Sequence, residues 1–155
     1  MSDKFRIGVF SSGNGSNFEA IVKADIPNVE VSFLLCNIED AYALERAKNF
    51  SIDSILLPHK NFESRKDFEK EIISRIQDYD VDLIILAGFK RILSPFFINY
   101  FEKKIINLHP SLLPSFPGLR APQQALEYGV KFTGCTVHFV DDGVDTGPII
   151  LQGLV

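Results

Sequence analysis

Apolar runs rich in β-branched and aromatic residues alternate along this chain with amphipathic segments of helical length. Parallel strands joined by crossover helices produce this alternation, because the chain must return across the sheet before the next strand can pair. Phe5–Ser11 (FRIGVFS) reads as the first strand and Val29–Cys36 (VEVSFLLC) as the second, with a Gly/Ser/Asn turn and a helix over 17–24 between them. Residues 41–49 place helix formers on an apolar stripe, and a short strand over 54–57 stops at Pro58. Ser64 predicts an N-cap for a helix running to about residue 78, with Phe68, Ile72, Ile73 and Ile76 on one face. Residues 81–87 (VDLIILA) are mostly apolar, as a strand covered on both faces should be.

The second half reads as a short helix at Pro95–Tyr100 and a strand over 104–108. Pro110, Pro114, Pro117 and Pro122 then make 109–122 an irregular segment. Helix resumes over 123–128, followed by an alternating strand at 133–140, an acidic turn, and a last apolar strand at 148–155. An apolar strand with no covering helix after it leaves a sheet face or edge short of partners, so the 155 residues are expected to be one domain that is short at its C-terminus.

Hydrophobic residues make up 46% of the chain, enough for a core without staples, and the formal net charge of −4 supplies no broad positive field for nucleic acid or an anionic membrane. The longest apolar run, from Leu83 to Phe89, is far shorter than the roughly 20 residues that span a bilayer. The N-terminus has no secretory signal pattern, and the chain reads as cytoplasmic. Cys36 and Cys135 lie in apolar strands, far apart in sequence, and are expected to be unpaired thiols.

Three polar constellations could carry chemistry. SGNGSN (12–17) stands between the first strand and first helix, where glycines permit close backbone approach and unpaired N–H groups favour an anion. Phe18 occupies the position where a dinucleotide fingerprint needs glycine or alanine, and the alternative is a plain βα turn capped by Ser16 or Asn17. Asn107 and His109 alternate onto one side of a strand end, where an amide donor beside an imidazole suits polarising a carbonyl and stabilising an oxyanion. Asp145, in the turn DDGVDTGP, could orient or charge-stabilise His109, or it could simply belong to an acidic turn. Neither HxxxH nor any Cys/His cluster accompanies these residues, and no metal is expected. His138 reads as a core histidine and His59 as a solvent-facing one. Arg65 and Arg91 read as isolated surface cations.

Five stretches, SGNGSN (12–17), SR (64–65), LAGFKRILSP (86–95), INLHPSLLPSFPG (106–118) and TVHFVDDGVDTGPII (136–150), resemble the folate-dependent formyltransferases in order and spacing. Within the family the likeness is to the branch acting on glycinamide ribonucleotide in de novo purine biosynthesis. It implies an α/β, Rossmann-like, mostly parallel open sheet with helices on both faces, and transfer of a formyl group from 10-formyltetrahydrofolate, as co-substrate, to the substrate's primary amine. By the same likeness Asn107, His109 and Asp145 form the catalytic set and Gly15, Ser16 and Asn17 hold the substrate phosphate. Arg91, Ile92 and Leu93, with Asn107 and the backbone near Val140, Asp141 and Asp142, take the folate, while Arg65 meets a distal anionic group. Small-molecule partners, with a monomer or homodimer, are implied.

Some relatives place histidines where this chain has Arg120 and Pro122, so the loop after Gly118 is expected to meet substrate differently. The family pattern also runs on past the last strand for roughly 30–40 residues, two or three elements of average length. Two other functions remain open on sequence alone: a non-catalytic folate- or nucleotide-binding module, and formyl transfer to a different amine.

Overall fold

The computed structural model describes residues 3–155, which divide into two compact units, one ending at Ser94 and the other covering Pro95–Val155. The first carries β1 (Phe5–Ser11), α1 (Ser16–Lys23), β2 (Val29–Cys36), α2 (Tyr42–Asn49), β3 (Asp53–Leu56), α3 (Arg65–Ile76) and β4 (Leu83–Leu86). Its strands run in the order β3-β2-β1-β4, every pair parallel. Building outward from β1 to β3 and then returning to place β4 on the other side of β1 creates a switch of direction. In open α/β sheets ligands gather beyond the carboxyl ends of strands at such a point. The SGNGSN turn follows β1 there, and residues 87–94 follow β4.

Alternation along β1 covers both faces of this sheet. Val9 packs with Phe18 of α1 and Ala43 and Ala47 of α2, all fully buried. Phe10, on the opposite face, sets its ring 6.3 Å from Phe33 and 5.4 Å from Phe89, and Phe33 in turn meets Tyr79 just beyond α3. Gly8 is needed beside Phe33, since a Cβ there would fall 2.3 Å from the ring. Ser64 caps α3 by accepting the Asp67 N–H at 3.1 Å, and the helix tightens into a 3-10 turn at Gln77–Tyr79.

The second unit contains α4 (Pro95–Tyr100), β5 (Ile105–His109), α5 (Ala121–Tyr128), β6 (Gly134–Phe139) and β7 (Ile149–Leu154), with β5-β6-β7 antiparallel. One sequence expectation is corrected here. The helix after the proline-rich segment begins at Ala121 rather than 123, with Pro122 inside its first turn, where the missing N–H costs nothing because first-turn N–H groups have no intrahelical partner. Arg120 supplies its N-cap in the left-handed region, at φ 56°. Every side chain of β7 is exposed.

Candidate active site

The antiparallel register sets Asn107 of β5 directly opposite His138 of β6, and His109 opposite Thr136. Asn107 Nδ2 lies 3.3 Å from His138 Nε2, and His138 Nδ1 donates to the Phe139 carbonyl at 2.9 Å. His138 is therefore the tautomer with its proton on Nδ1, accepting one of the two amide hydrogens of Asn107. Asp145 stands between the two histidines: Oδ2 is 3.4 Å from His109 Nδ1, and Oδ1 is 3.7 Å from His138 Nε2. His109 and His138 are nearly fully buried, so the carboxylate meets them where water screens little. Asn107, His138, Asp145 and His109 thus form one continuous polar cluster. His138 is a buried, hydrogen-bonded histidine, as its sequence position suggests, and its partners Asn107 and Asp145 are what the structure adds.

The proline-rich loop braces the same cluster. His109 Nε2 donates to the Phe116 carbonyl at 2.9 Å, and the Gly118 N–H donates to Asp145 Oδ2 at 2.8 Å. Phe116 adopts φ 51°, a conformation strained for a bulky side chain, and in it presents the carbonyl to His109. The Phe116 carbonyl and the Asp145 carboxylate thus face the two ring nitrogens of His109. The loop itself is pinned by Thr136, whose hydroxyl donates to the Ser111 carbonyl at 2.7 Å and accepts the Leu113 N–H at 3.1 Å. Gln152 of β7 adds a bond to the Leu113 carbonyl at 2.9 Å. Val140, Asp141 and Asp142 line a cavity of about 620 Å³ together with Ile98, Phe139 and Pro148. Asp141 spends its carboxylate inside the turn, accepting from Gly143 N at 3.0 Å and Thr146 Oγ1 at 2.6 Å.

In the first unit Gly15, at φ 74°, is the N-cap of α1, and no side chain caps the helix. The alternative in which Ser16 or Asn17 caps the turn is thereby corrected: both are exposed residues of the first helical turn. A Cβ on Gly15 would come within 2.7 Å of the Ala43 Cβ, so only glycine fits against α2. Arg46 of α2 holds the turn, with Nε donating to the Asn14 carbonyl at 2.8 Å and Nη2 to Asn14 Oδ1 at 3.3 Å, while it also pairs with Glu19. At the start of the turn, Ser12 donates to Asn37 Oδ1 at 2.6 Å and accepts the Lys90 N–H at 2.8 Å. Asn37 Nδ2 reaches His59 Nδ1 at 3.0 Å, so His59 is half-buried and bonded inward, which corrects its reading as solvent-facing.

Of the residues after β4, Leu93 is buried while Arg91 and Ile92 are exposed. Arg65 is exposed and points a guanidinium nitrogen at the Ile92 carbonyl, 3.5 Å away. The two cysteines are free, and burial pushes the Cys36 thiol above its usual range. Among the described residues no three His, Cys, Asp or Glu side chains group as metal ligands, and no helix is long and apolar enough to cross a membrane.

Sequence signals for the missed members of the site were partial. The pairing of Asn107 with His138 needs the strand register, which alternation within a single strand does not contain. The Phe116 carbonyl has no side-chain marker, and Arg46 lies in a helix that reads simply as amphipathic.

The family model described as "Formyl transferase" matches residues 5–155, across both units. The chain is 46% identical over 150 residues to phosphoribosylglycinamide formyltransferase of Bacillus subtilis (strain 168), covering 95% of this chain and 77% of that protein. It is 43% identical to part of the trifunctional purine biosynthetic protein adenosine-3 of Drosophila melanogaster, covering 97% of this chain and 12% of that much longer one. The crystal structure of glycinamide ribonucleotide transformylase 1 from Symbiobacterium toebii superposes with a TM-score of 0.93 at 45% identity, covering 100% of this chain and 74% of that one. The α/β fold expected from sequence is therefore the one observed, and the chain belongs to the formyl transferase family.

Proposed function

We propose that the chain transfers the formyl group of 10-formyltetrahydrofolate to the primary amine of glycinamide ribonucleotide, a step of de novo purine biosynthesis. The observation that carries this reading is the buried cluster in which Asp145 lies 3.4 Å from His109 Nδ1 while Asn107, on the same strand as His109, bonds His138. An amide and an imidazolium are the donors that a tetrahedral acyl-transfer intermediate calls for. The names of the relatives support glycinamide ribonucleotide as the acceptor of a formyl group, and the resemblance to folate-dependent enzymes supports the formyl-folate donor.

In the proposed reaction the amine attacks the formyl carbon, a new C–N bond forms, and the bond from that carbon to folate N10 breaks. Negative charge collects on the formyl oxygen in between. The second amide hydrogen of Asn107 and the Nε2–H of His109 stabilise it, the latter by exchanging the Phe116 carbonyl for the substrate oxygen. Asp145 stabilises positive charge on the His109 ring as the oxyanion forms and relays the proton leaving the amine, through water, to N10. Gly15, Ser16 and Asn17 receive the phosphate on the uncapped N–H groups of α1. Arg91, Ile92 and Leu93 in the first unit, and Asn107 and the backbone of Val140, Asp141 and Asp142 in the second, receive the folate, with Arg65 meeting a distal anionic group. The reaction needs only small-molecule partners, no metal, and suits a cytoplasmic enzyme.

A non-catalytic folate-binding module is the second reading, favoured by the Phe116 carbonyl that occupies His109 Nε2. A formyl-transfer assay with both substrates separates the two. Asn107→Ala, His109→Ala and Asp145→Ala should each lower kcat by about 10²–10⁴-fold if the catalytic reading holds. Folate binding without any turnover by the unmutated chain would favour the module.

A further inference from the structure

The buried stripe of α3 contains one charge. Phe68, Ile72, Ile73 and Ile76 are apolar, but Glu69 shares their face and is only 1% exposed. Burying a carboxylate is unfavourable unless hydrogen bonds replace its water, and an apolar side chain would fill the same position at lower cost. Ser94 supplies replacement bonds to both carboxylate oxygens. The Ser94 N–H donates to Glu69 Oε1 at 2.7 Å, and the Ser94 hydroxyl donates to Oε2. One turn earlier on the same helix, Arg65 addresses the Ile92 carbonyl at 3.5 Å. Helix α3 thus grips the chain on both sides of Leu93, itself 6% exposed, while Ile92 stays 60% exposed.

We propose that Glu69 is a positioning residue for folate recognition, fixing the backbone of residues 91–94 so that this segment is preformed when the co-substrate arrives. The inference rests on the formyl-transfer reading, which gives residues 91–93 to the folate. Glu69 touches no reacting atom. Its effect should fall on folate affinity and leave the substrate amine and the chemical step alone.

The test measures tetrahydrofolate binding by calorimetry and steady-state formyl transfer, on the full chain and on Glu69→Ala, Glu69→Gln and Ser94→Ala. Glu69→Ala should raise the tetrahydrofolate Kd and the KM for 10-formyltetrahydrofolate by about tenfold, the range for losing hydrogen bonds to a charged group. The KM for glycinamide ribonucleotide and kcat should stay within about twofold. Glu69→Gln, which keeps an acceptor for the Ser94 N–H, should recover most of the affinity. Ser94→Ala, which keeps the carboxylate and its backbone bond, should lose about threefold and decides the matter if Glu69→Ala does not fold. Equal rises in both KM values, a fall in kcat alone, or unchanged folate affinity in Ser94→Ala and Glu69→Ala would overturn the positioning role while leaving formyl transfer standing. An unmutated chain that neither binds tetrahydrofolate nor transfers formyl would instead sink the functional reading, and this inference with it.

Discussion

His109 Nδ1 faces Asp145 Oδ2 at 3.4 Å, and the same carboxylate oxygen accepts the Gly118 N–H at 2.8 Å. The short bond comes from the backbone and the longer approach from the imidazole, so Gly118 sets where the carboxylate stands and Asp145 sets the negative charge beside the ring. Asp145→Asn keeps an oxygen for Gly118 and removes the charge. It should lower kcat by about 10²–10⁴-fold while both KM values move little, a split that steady-state kinetics reads directly.

His138 accepts the amide hydrogen that orients Asn107. Removing it with His138→Ala leaves the amide free to rotate and opens a small cavity. The expected cost is about tenfold in kcat, smaller than that of Asn107→Ala. A His138→Ala enzyme as slow as Asn107→Ala would mean that the imidazole itself takes part in the chemistry.

Gly15 has φ 74° and no room for a Cβ beside Ala43. Gly15→Ala should destabilise the fold by about 1–3 kcal/mol, visible as a lowered Tm, and should raise the KM for glycinamide ribonucleotide. The KM for the folate should not follow.

Arg46 grips both the backbone and the side chain of Asn14, and its guanidinium lies 4.8 Å from the centre of the Tyr42 ring. Arg46→Met retains much of the packing and loses the donors. A rise of about three- to tenfold in the KM for the phosphorylated substrate, with an unchanged folate KM, is the expected kinetic result.

Cys36 is fully buried with its thiol pushed up by that burial, whereas Cys135 is half-buried. A small maleimide at neutral pH should label Cys135 before Cys36 in the folded chain, and mass spectrometry of digested protein reports the order. Labelling of Cys36 at a comparable rate would show that β2 opens readily.

Much of the fold was legible because strand and helix periods dominate the chain. The expected bounds of β1, β2 and α4 coincide with those observed. Ser64 announced its cap through its residue type and the apolar spacing behind it. The start of α5 was misplaced because Pro122 is a breaker inside a helix but not in a first turn. At the site, alternation was enough to put Asn107 and His109 on one side of β5. Asp145, in a turn 36 residues beyond His109, was legible as a possible partner from its acidic turn and the family likeness, whereas His138 meets Asn107 only through strand register. Glu69 escaped notice because spacing identifies an apolar stripe and does not mark a charge buried within it.

The most direct measurement follows a ¹³C label in the formyl group of 10-formyltetrahydrofolate by NMR, with glycinamide ribonucleotide as acceptor. The label should move to the glycinamide nitrogen as one tetrahydrofolate appears per transfer, and Asn107→Ala and His109→Ala should slow that movement by orders of magnitude. Label that stays on the folate with the unmutated chain, or that moves at an undiminished rate in both variants, would contradict the account.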